Sequence, residues 1–522
     1  MERQTKKILW LCLVAAGVFV SYSNVFHNGF LYGDDEELIL RNAYLQDWRY
    51  LPRLLSQQTR AGSGISSNFY RPLQGLAYFL LIQGFGMKPW PLQLLNILLH
   101  AFNAVCLMLL IQRLTLLEDA PAAVLTLLWA LHPIHVEAVA NINGTADPLS
   151  AGCMLAGLWM FLQGNARISL LCFALSLFSK ESACIFPLLL VSYDLLSRGR
   201  VFLWKKHLPY WLLLGGYLVF HQTCLNLPKT LNFYSQSNPF TENFFCRLYT
   251  LFSVFGKGLS LLIRPSELHP ERAWPAFASF WFPPVFISFA VLCGLLFLGF
   301  SHLKRKSVLS FGIAWFFISY LPMSNLWAKI NALFWEHWFY LPSAGLCLAL
   351  AAWAARFSRS IREKTAVVCL PLLLLLGWQT LVQNRIWRDP ETFGKAVLRY
   401  ESGSARTWNN YAMALTDAKK YGEAVAAYRR AIVLRDDYPQ THHNLGNLYR
   451  HMGDVQAAFR EYRRALEMDP KFYFSRLALG EMFLQSGNVG EGTRQLEEAL
   501  LIYPHLPRVR QLLNQLKRRA GK

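Results

Sequence analysis

Long apolar runs almost free of charge constrain this chain more than any other feature. Residues 8–22, 284–300 and 308–323 are three of many such runs. A helix needs about 20 apolar residues to cross a hydrocarbon core. Backbone groups in lipid must satisfy their own hydrogen bonds, so a chain built from these runs crosses as helices. Hydrophobic residues make up 54% of the 522 and aromatics 15%, too apolar for an ordinary soluble enzyme. The expected fold class is all-α, with a polytopic helical membrane domain. The leader MERQTKK is basic, no small-residue cleavage site follows it, and more apolar runs come after. It reads as part of an uncleaved anchor.

The net charge of +20 would suggest nucleic acid if it were spread over a soluble surface. Much of it instead lies in short loops, MERQTKK, 197–207, 301–307 and 356–364. That is the positive-inside pattern, and it points away from a nucleic-acid partner. The ten cysteines are scattered without paired spacing and read as small apolar side chains, Cys224 and Cys246 included.

Starting inside and keeping each basic loop cytoplasmic gives eleven crossings, at 8–22, 92–111, 121–133, 148–162, 168–178, 183–196, 208–223, 284–300, 308–323, 338–355 and 365–382. Segment 244–263 is apolar enough to cross, but counting it would put loop 301–307 outside. It is therefore read as lying on the outer face or re-entering. The polar clusters GDDEE (33–37), NFYRP (68–72), HPIHVE (132–137), NGTADP (143–148), SKES (179–182), RPSELHPE (264–271) and WEHW (335–338) then share one face, opposite the basic loops. Histidines and carboxylates converging at one membrane face suggest a site. The competing reading is that each cluster caps its own helix.

Composition changes after Arg385, and residues recur at a period of 34. Ala412, Gly446 and Gly480 are in register, as are Leu415, Tyr449 and Phe483, then Ala424, Ala458 and Gly492, then Ala431, Ala465 and Ala499. This is the tetratricopeptide pattern of small residues at helix crossings and large ones between them. The expected domains are a membrane domain over 1–385, a linker and entry helix over 386–404, three repeats over 405–506, and a capping helix over 507–522. A repeat stack offers a groove to a peptide or partner helix, either as an assembly platform or to present an acceptor protein.

There is no GxxxxGK[ST] loop, no strand followed by GxGxxG, and no GxSxG elbow, so neither the usual nucleotide cradles nor a serine-hydrolase elbow is present. What remains is carboxylates, basic residues and histidines at a membrane surface. Those groups suit an anionic lipid substrate. Arg71 and Lys180 would hold a phosphate by charge-assisted hydrogen bonds. Asp34 or Asp35 would take the proton of an attacking hydroxyl.

FLYGDDEELILRN (30–42) after the first apolar run resembles the opening of the TMTC family, the transmembrane and tetratricopeptide-repeat protein O-mannosyltransferases of the GT-C class. SSNFYRPLQGLAYFL (66–80), LHPIHVEAVANINGTADPLSAG (131–152), LFSKESACIFPLLLVSYDLL (177–196), EHWFYLPSAGLCL (336–348) and NRIWRDPETF (384–393) follow in the family's order, and then the repeats. The resemblance implies a GT-C-like fold, a polyprenyl-phosphate sugar donor (mannose for this family), and Asp34 or Asp35 as the base. The family has Gly-Arg-Ala-Asp/Glu where this chain has Gly144-Thr145-Ala146-Asp147, which puts the donor or its geometry in question. The repeat array is also short for the family. One base assisting one displacement implies inversion at the anomeric carbon.

Each candidate also has a plainer reading. Asp34 and Asp35 cap a helix starting near Glu36, or they carry catalysis, and Glu36 and Glu37 are read as solvated. Arg71 pairs with those acids, or it clamps phosphate. His132, His135 and Glu137 look like metal ligands, but Pro133 breaks helical spacing between the histidines, so hydrogen bonding in a substrate pocket is favoured over a divalent metal. No other cofactor is expected. Asp147 is an N-cap before Pro148 or a site residue. Lys180 snorkels or meets donor phosphate, and neighbouring Glu181 cannot face it on a helix. Glu336 and His337 lie between two belt tryptophans and reach toward the donor head group. The alternatives to protein glycosylation are a transferase acting on glycolipid or surface polysaccharide, and a non-catalytic membrane anchor displaying the repeats. The compact loops read as a bacterial inner-membrane protein with periplasmic repeats; a luminal placement in the endoplasmic reticulum is the alternative.

Overall fold

The apolar runs fold as helices in the computed structural model, and no strand occurs among the described residues. These are residues 2–196, 204–225, 227, 238–302, 307–327, 330, 332–503 and 507–520. Parts of the basic loops, 197–203 and 303–306, lie outside them, as do Pro504 and the last two residues of the expected capping helix.

The chain divides into two units, Met1–Asp389 and Pro390–Lys522. Among the described residues of the first, five helices are long and apolar enough to cross a membrane: Gln4–His27, Pro89–Thr115, Phe244–Ile263, Pro283–Ser301 and Arg359–Trp387. A sixth arises if Asp119–Ala130 and Pro133–Val139, bent by 50°, count as one broken span. Pro133 causes the break, since it has no N–H to continue the ladder. His132 Nδ1 there accepts the Ile134 N–H at 3.2 Å.

Several of the eleven expected crossings coincide with shorter helices. Ala146–Leu162, Ala166–Ser179, Val308–Tyr320 and Tyr340–Ala354 have 17, 14, 13 and 15 residues. At 1.5 Å per residue they rise roughly 20–26 Å, against a core about 30 Å thick. Phe244–Ile263, set apart in the sequence reading, meets the length and apolarity of a crossing helix.

Close packing is made by small residues. A Cβ on Gly312 would lie 2.6 Å from Ala349 N and 2.6 Å from Gly345 O, so Val308–Tyr320 and Tyr340–Ala354 meet backbone to backbone. Phe244–Ile263, Pro283–Ser301 and Val308–Tyr320 leave an apolar groove of about 220 Å³, lined by Phe252, Phe255, Phe289, Leu292, Phe317 and Tyr320 among others.

The second unit opens with the helix Pro390–Leu398, which packs on Ala405–Asp417. The unit boundary thus falls inside the segment read as a linker. Helix pairs follow at Ala405–Asp417 and Tyr421–Leu434, Pro439–Met452 and Val455–Met468, and Tyr473–Gln485 and Val489–Ile502, with Pro507–Ala520 after them. A Cβ on Gly446 would come within 2.8 Å of the Tyr462 ring, and one on Gly480 within 2.9 Å of Leu496. Those contacts explain the small residue repeated at this register. His442 is buried in the second repeat, with Nε2 2.7 Å from Asp436 Oδ1 and Nδ1 2.7 Å from Glu461 Oε2. Carboxylates only accept, so both ring nitrogens donate and the ring is an imidazolium. Burial alone would lower its pKa, but hydrogen bonds to Glu461 and Asp436 outweigh burial and raise it.

Gly312→Ala will lower the thermal midpoint in detergent, by an overpacking cost of about 1–3 kcal/mol. Gly294→Ala is the control, because nothing lies within 4 Å of its added methyl. A group whose pKa rises on folding contributes fully below its unfolded value and loses that contribution as pH climbs through its folded value. The difference in midpoint between wild type and His442→Leu will therefore be larger near pH ~5.5 than near pH ~8.5, on either side of the ordinary imidazole value of about 6.5.

Candidate functional site

The loop after the first helix is held by buried amides. Asn384 Nδ2 donates to Ser21 O at 2.9 Å, Gln93 Nε2 to Asn28 O at 2.9 Å, and the Gly29 N–H to Arg388 O at 2.7 Å. The acidic run starts from this fixed point, and its members separate. Asp34 stays half exposed and pairs with Arg60 at 2.9 Å. Glu37 pairs with the same guanidinium at 2.5 Å, and Glu36 pairs with Arg41. The two glutamates are thus held in ion pairs rather than simply solvated. Asp35 turns inward and is 2% exposed. It does not cap the helical turn Glu36–Leu40. Its Oδ2 accepts the Leu31 N–H at 2.7 Å, and its Oδ1 accepts from Asn143 Nδ2.

Asp35 has no cationic partner among the described residues. Burial pushes its carboxyl up to about 7; the Leu31 N–H pulls it back and the neighbouring Asp34 adds to the rise. A base poised near neutrality is the form suited to general base catalysis.

Asn143 sits on a rigid turn. Asn141 Oδ1 accepts the Asn143 N–H at 3.1 Å, Gln74 Nε2 donates to Asn143 O at 3.2 Å, and Tyr78 Oη donates to Ile142 O at 2.7 Å. Thr145 is fully buried, and its hydroxyl lies 2.5 Å from Asn96 Oδ1. A Cβ at Gly144 would meet Ala138 O at 2.5 Å, so only glycine fits there.

Two ion pairs stand beside this turn. Arg71 donates from Nη2 and Nε to Glu181 at 2.6 and 3.1 Å, rather than to the acids at 34–37. Desolvation would raise the Glu181 carboxyl, but Arg71, with Lys180 behind it, holds it at about 2. Lys180 Nζ donates to Asp147 Oδ1 at 2.7 Å and is 4% exposed. Asp147 lies in the first turn of Ala146–Leu162, while Thr145 occupies the N-cap, so the N-cap role proposed for Asp147 is corrected. Lys180 and Glu181 are adjacent in sequence and serve different partners, because the helix ends at Ser179.

The other candidates form a second group. Glu137 Oε2 accepts the His337 N–H at 2.9 Å and lies 3.2 Å from His337 Nδ1. Glu336 Oε1 accepts from His269 N at 2.9 Å and from Arg272 Nη2 at 3.2 Å. Burial, then the nearby charge of Glu137, raises the Glu336 carboxyl against the pull of Arg272. His132 Nε2 bonds Leu262 O at 3.1 Å, and His135 is fully buried between Trp129, His100 and Tyr340. The two histidines and Glu137 therefore face different partners. No three His, Cys, Asp or Glu side chains among the described residues are arranged as a metal set.

Sequence reasoning missed Asn143 as a partner of Asp35, and it missed Arg60 and Arg272. The dipeptide Asn143-Gly144 marks a tight turn, which is the one local signal for the first. The arginines carry none, since their partners lie 23 and 64 residues away.

Breaking a buried pair leaves one charge uncompensated. Lys180→Met will cost about 3–5 kcal/mol of stability, and adding Asp147→Asn will recover much of that loss. Chemical denaturation of the single and double variants in detergent measures both.

Tetratricopeptide-repeat family models match residues 403–471 and 443–507. Human "Protein O-mannosyl-transferase TMTC3" is 25% identical over 495 residues, covering 86% of this chain and 54% of that protein. Human "Protein O-mannosyl-transferase TMTC1" is 27% identical, covering 76% and 52%. The Caenorhabditis elegans "Protein O-mannosyl-transferase F38B6.6" is 26% identical, covering 82% and 63%. The chain spans about half the length of the two human relatives. These relatives are animal proteins, and nothing in them supports the expected bacterial setting. Among solved structures, one titled "Crystal structure of APC/C hetero-tetramer Cut9-Hcn1" aligns over 85% of this chain and 89% of that chain at 15% identity, with a TM-score of 0.25, too low to bear on the fold. Over most of its length the chain is similar to the TMTC protein O-mannosyl-transferases, and it ends in tetratricopeptide repeats.

Proposed function

We propose that this chain is an integral-membrane O-mannosyltransferase. It moves mannose from a polyprenyl-phosphate donor to a serine or threonine hydroxyl of an acceptor protein. The observation that carries the reading is Asp35, a buried carboxylate without a cation, just beyond the first membrane helix and poised near pH 7. Asp35 takes the proton as the acceptor oxygen bonds to the anomeric carbon. The bond from that carbon to the phosphate oxygen breaks, and the polyprenyl phosphate leaves with the electron pair. A single displacement inverts the anomeric centre.

Arg71 engages Glu181 through Nε and Nη2, and its Nη1 has no hydrogen-bond partner among the described residues. That edge is the natural contact for donor phosphate. Glu181 holds Arg71, and Asp147 holds Lys180, in place around it. The groove of about 220 Å³ between three apolar helices suits a length of isoprenoid chain. The tetratricopeptide unit is the candidate acceptor- or partner-binding surface.

The test uses purified protein in lipid, radiolabelled polyprenyl-phosphate mannose and a mixed protein extract. Label is expected in protein. Asp35→Asn will lower the rate ~100-fold or more, while Asp34→Asn, which loses one pair with Arg60 on the exposed side, will stay within about 3-fold, the effect expected of a surface pair. A product that retains the donor's anomeric configuration would sink the single displacement. Label in lipid or polysaccharide would replace the protein acceptor, and no transfer by wild type would leave a scaffold.

A further inference from the structure

We infer that Asn143 is the positioning residue for the base, holding Asp35 ionised and oriented inside a buried site; this rests on the reading of Asp35 as base. Two independent observations carry it. First, each Asp35 oxygen has one donor, the Leu31 N–H on Oδ2 and the Asn143 amide on Oδ1. With no cation beside it, Asp35 depends on these two donors to offset the cost of a buried negative charge. Second, the Asn143 side chain is committed to this contact alone. Its Oδ1 is buried and has no hydrogen-bond partner among the described residues. Leaving that oxygen unpaired is unfavourable. The amide keeps this orientation because an ionised carboxylate can only accept, so Nδ2 must face it.

The backbone around Asn143 prevents it from doing anything else. Its N–H is bonded within the turn to Asn141 Oδ1, its C=O accepts from Gln74 on Pro72–Phe85, Gly144 is pressed against Ala138 O, and Thr145 is fully buried. Asn143-Gly144-Thr145 has the form of an N-glycosylation acceptor. In this fold its asparagine is turned onto the base and its threonine onto Asn96, so the motif serves the site. The charged and titratable groups that face Asp35 are Asp34 on its own segment and Tyr78 on Pro72–Phe85, with Arg71 beyond Tyr78. The turn from Asn141 to Thr145 contributes only neutral groups.

Removing the amide takes away a hydrogen bond to the charged form and so favours the protonated acid. The experiment measures mannose transfer against pH for full-length wild type, Asp35→Asn, Asn143→Ser and Asn143→Gln in lipid. In Asn143→Ser, kcat near pH 7 is expected to fall about 5-fold, because an upward shift of about one pH unit in the acid limb, from a value near 7, takes the ionised fraction of the base from about a half to about a tenth. KM for the donor stays within about 3-fold, as a change confined to the transition state requires. Raising the pH restores most of the rate in Asn143→Ser and none in Asp35→Asn. Asn143→Gln, which keeps the amide but displaces it, shifts the limb in the same direction by less. An infrared titration of the carboxyl band that disappears in Asp35→Asn must move upward in parallel, and this readout needs no turnover. Should Asn143→Ser fail to fold, the Gln variant's titration decides. An unmoved acid limb and an unmoved carboxyl titration, with Asp35→Asn inactive, overturn the role of Asn143 alone. Full transfer by Asp35→Asn overturns the base reading and this inference with it.

Discussion

Charges buried within the membrane unit are tolerated when each finds a partner, and that requirement organises the site. Lys180 meets Asp147 and Arg272 meets Glu336, both largely buried, while Arg71 meets a Glu181 that stays partly exposed. An unpaired charge in such surroundings is unfavourable by several kcal/mol, on the order of 3–5. Each pair therefore ties together segments far apart in the chain. Asp35 is the exception, a buried acid served only by neutral donors. The same surroundings that force the others to pair move its proton affinity toward neutrality.

The helices supply what the pairs need. Short helices that stop at Ser179 and begin at Ala146 bring Lys180, Glu181 and Asp147 to one end of the unit. Pro133 and Gly144 break the backbone where polar turns are required, and amides of Gln74, Asn96 and Asn141 satisfy the exposed backbone groups. Phe244–Ile263, Pro283–Ser301 and Val308–Tyr320 leave a groove of hydrocarbon character. The first unit thus carries both a set of ion pairs and an apolar groove.

Much of this was legible in the residues. Apolar runs announce helices, and a 34-residue period announces paired repeat helices, because both depend on local spacing. The acidic run after the first helix could be singled out for the same reason. The crossing count was harder. Charge patterning locates cytoplasmic loops, but it does not tell how many residues each helix keeps before a proline or polar turn ends it. Segment 244–263 shows the limit, since its length and composition satisfy a span while its neighbours' charges argued otherwise.

By itself the sequence determined the helical class and the tetratricopeptide unit, since periodicity and hydropathy are properties of neighbouring residues. Only the tertiary structure gives Asp34 and Asp35 different surroundings. The two are adjacent and chemically identical, and what separates them lies elsewhere in the chain. Arg60 draws one outward, while Leu31 and, 108 residues away, Asn143 hold the other in. The same is true of Arg71, whose carboxylate partner lies 110 residues on rather than in the acidic run beside it. Ion pairs in a low-dielectric interior are chosen by three-dimensional proximity, and that proximity is set by how the helices pack.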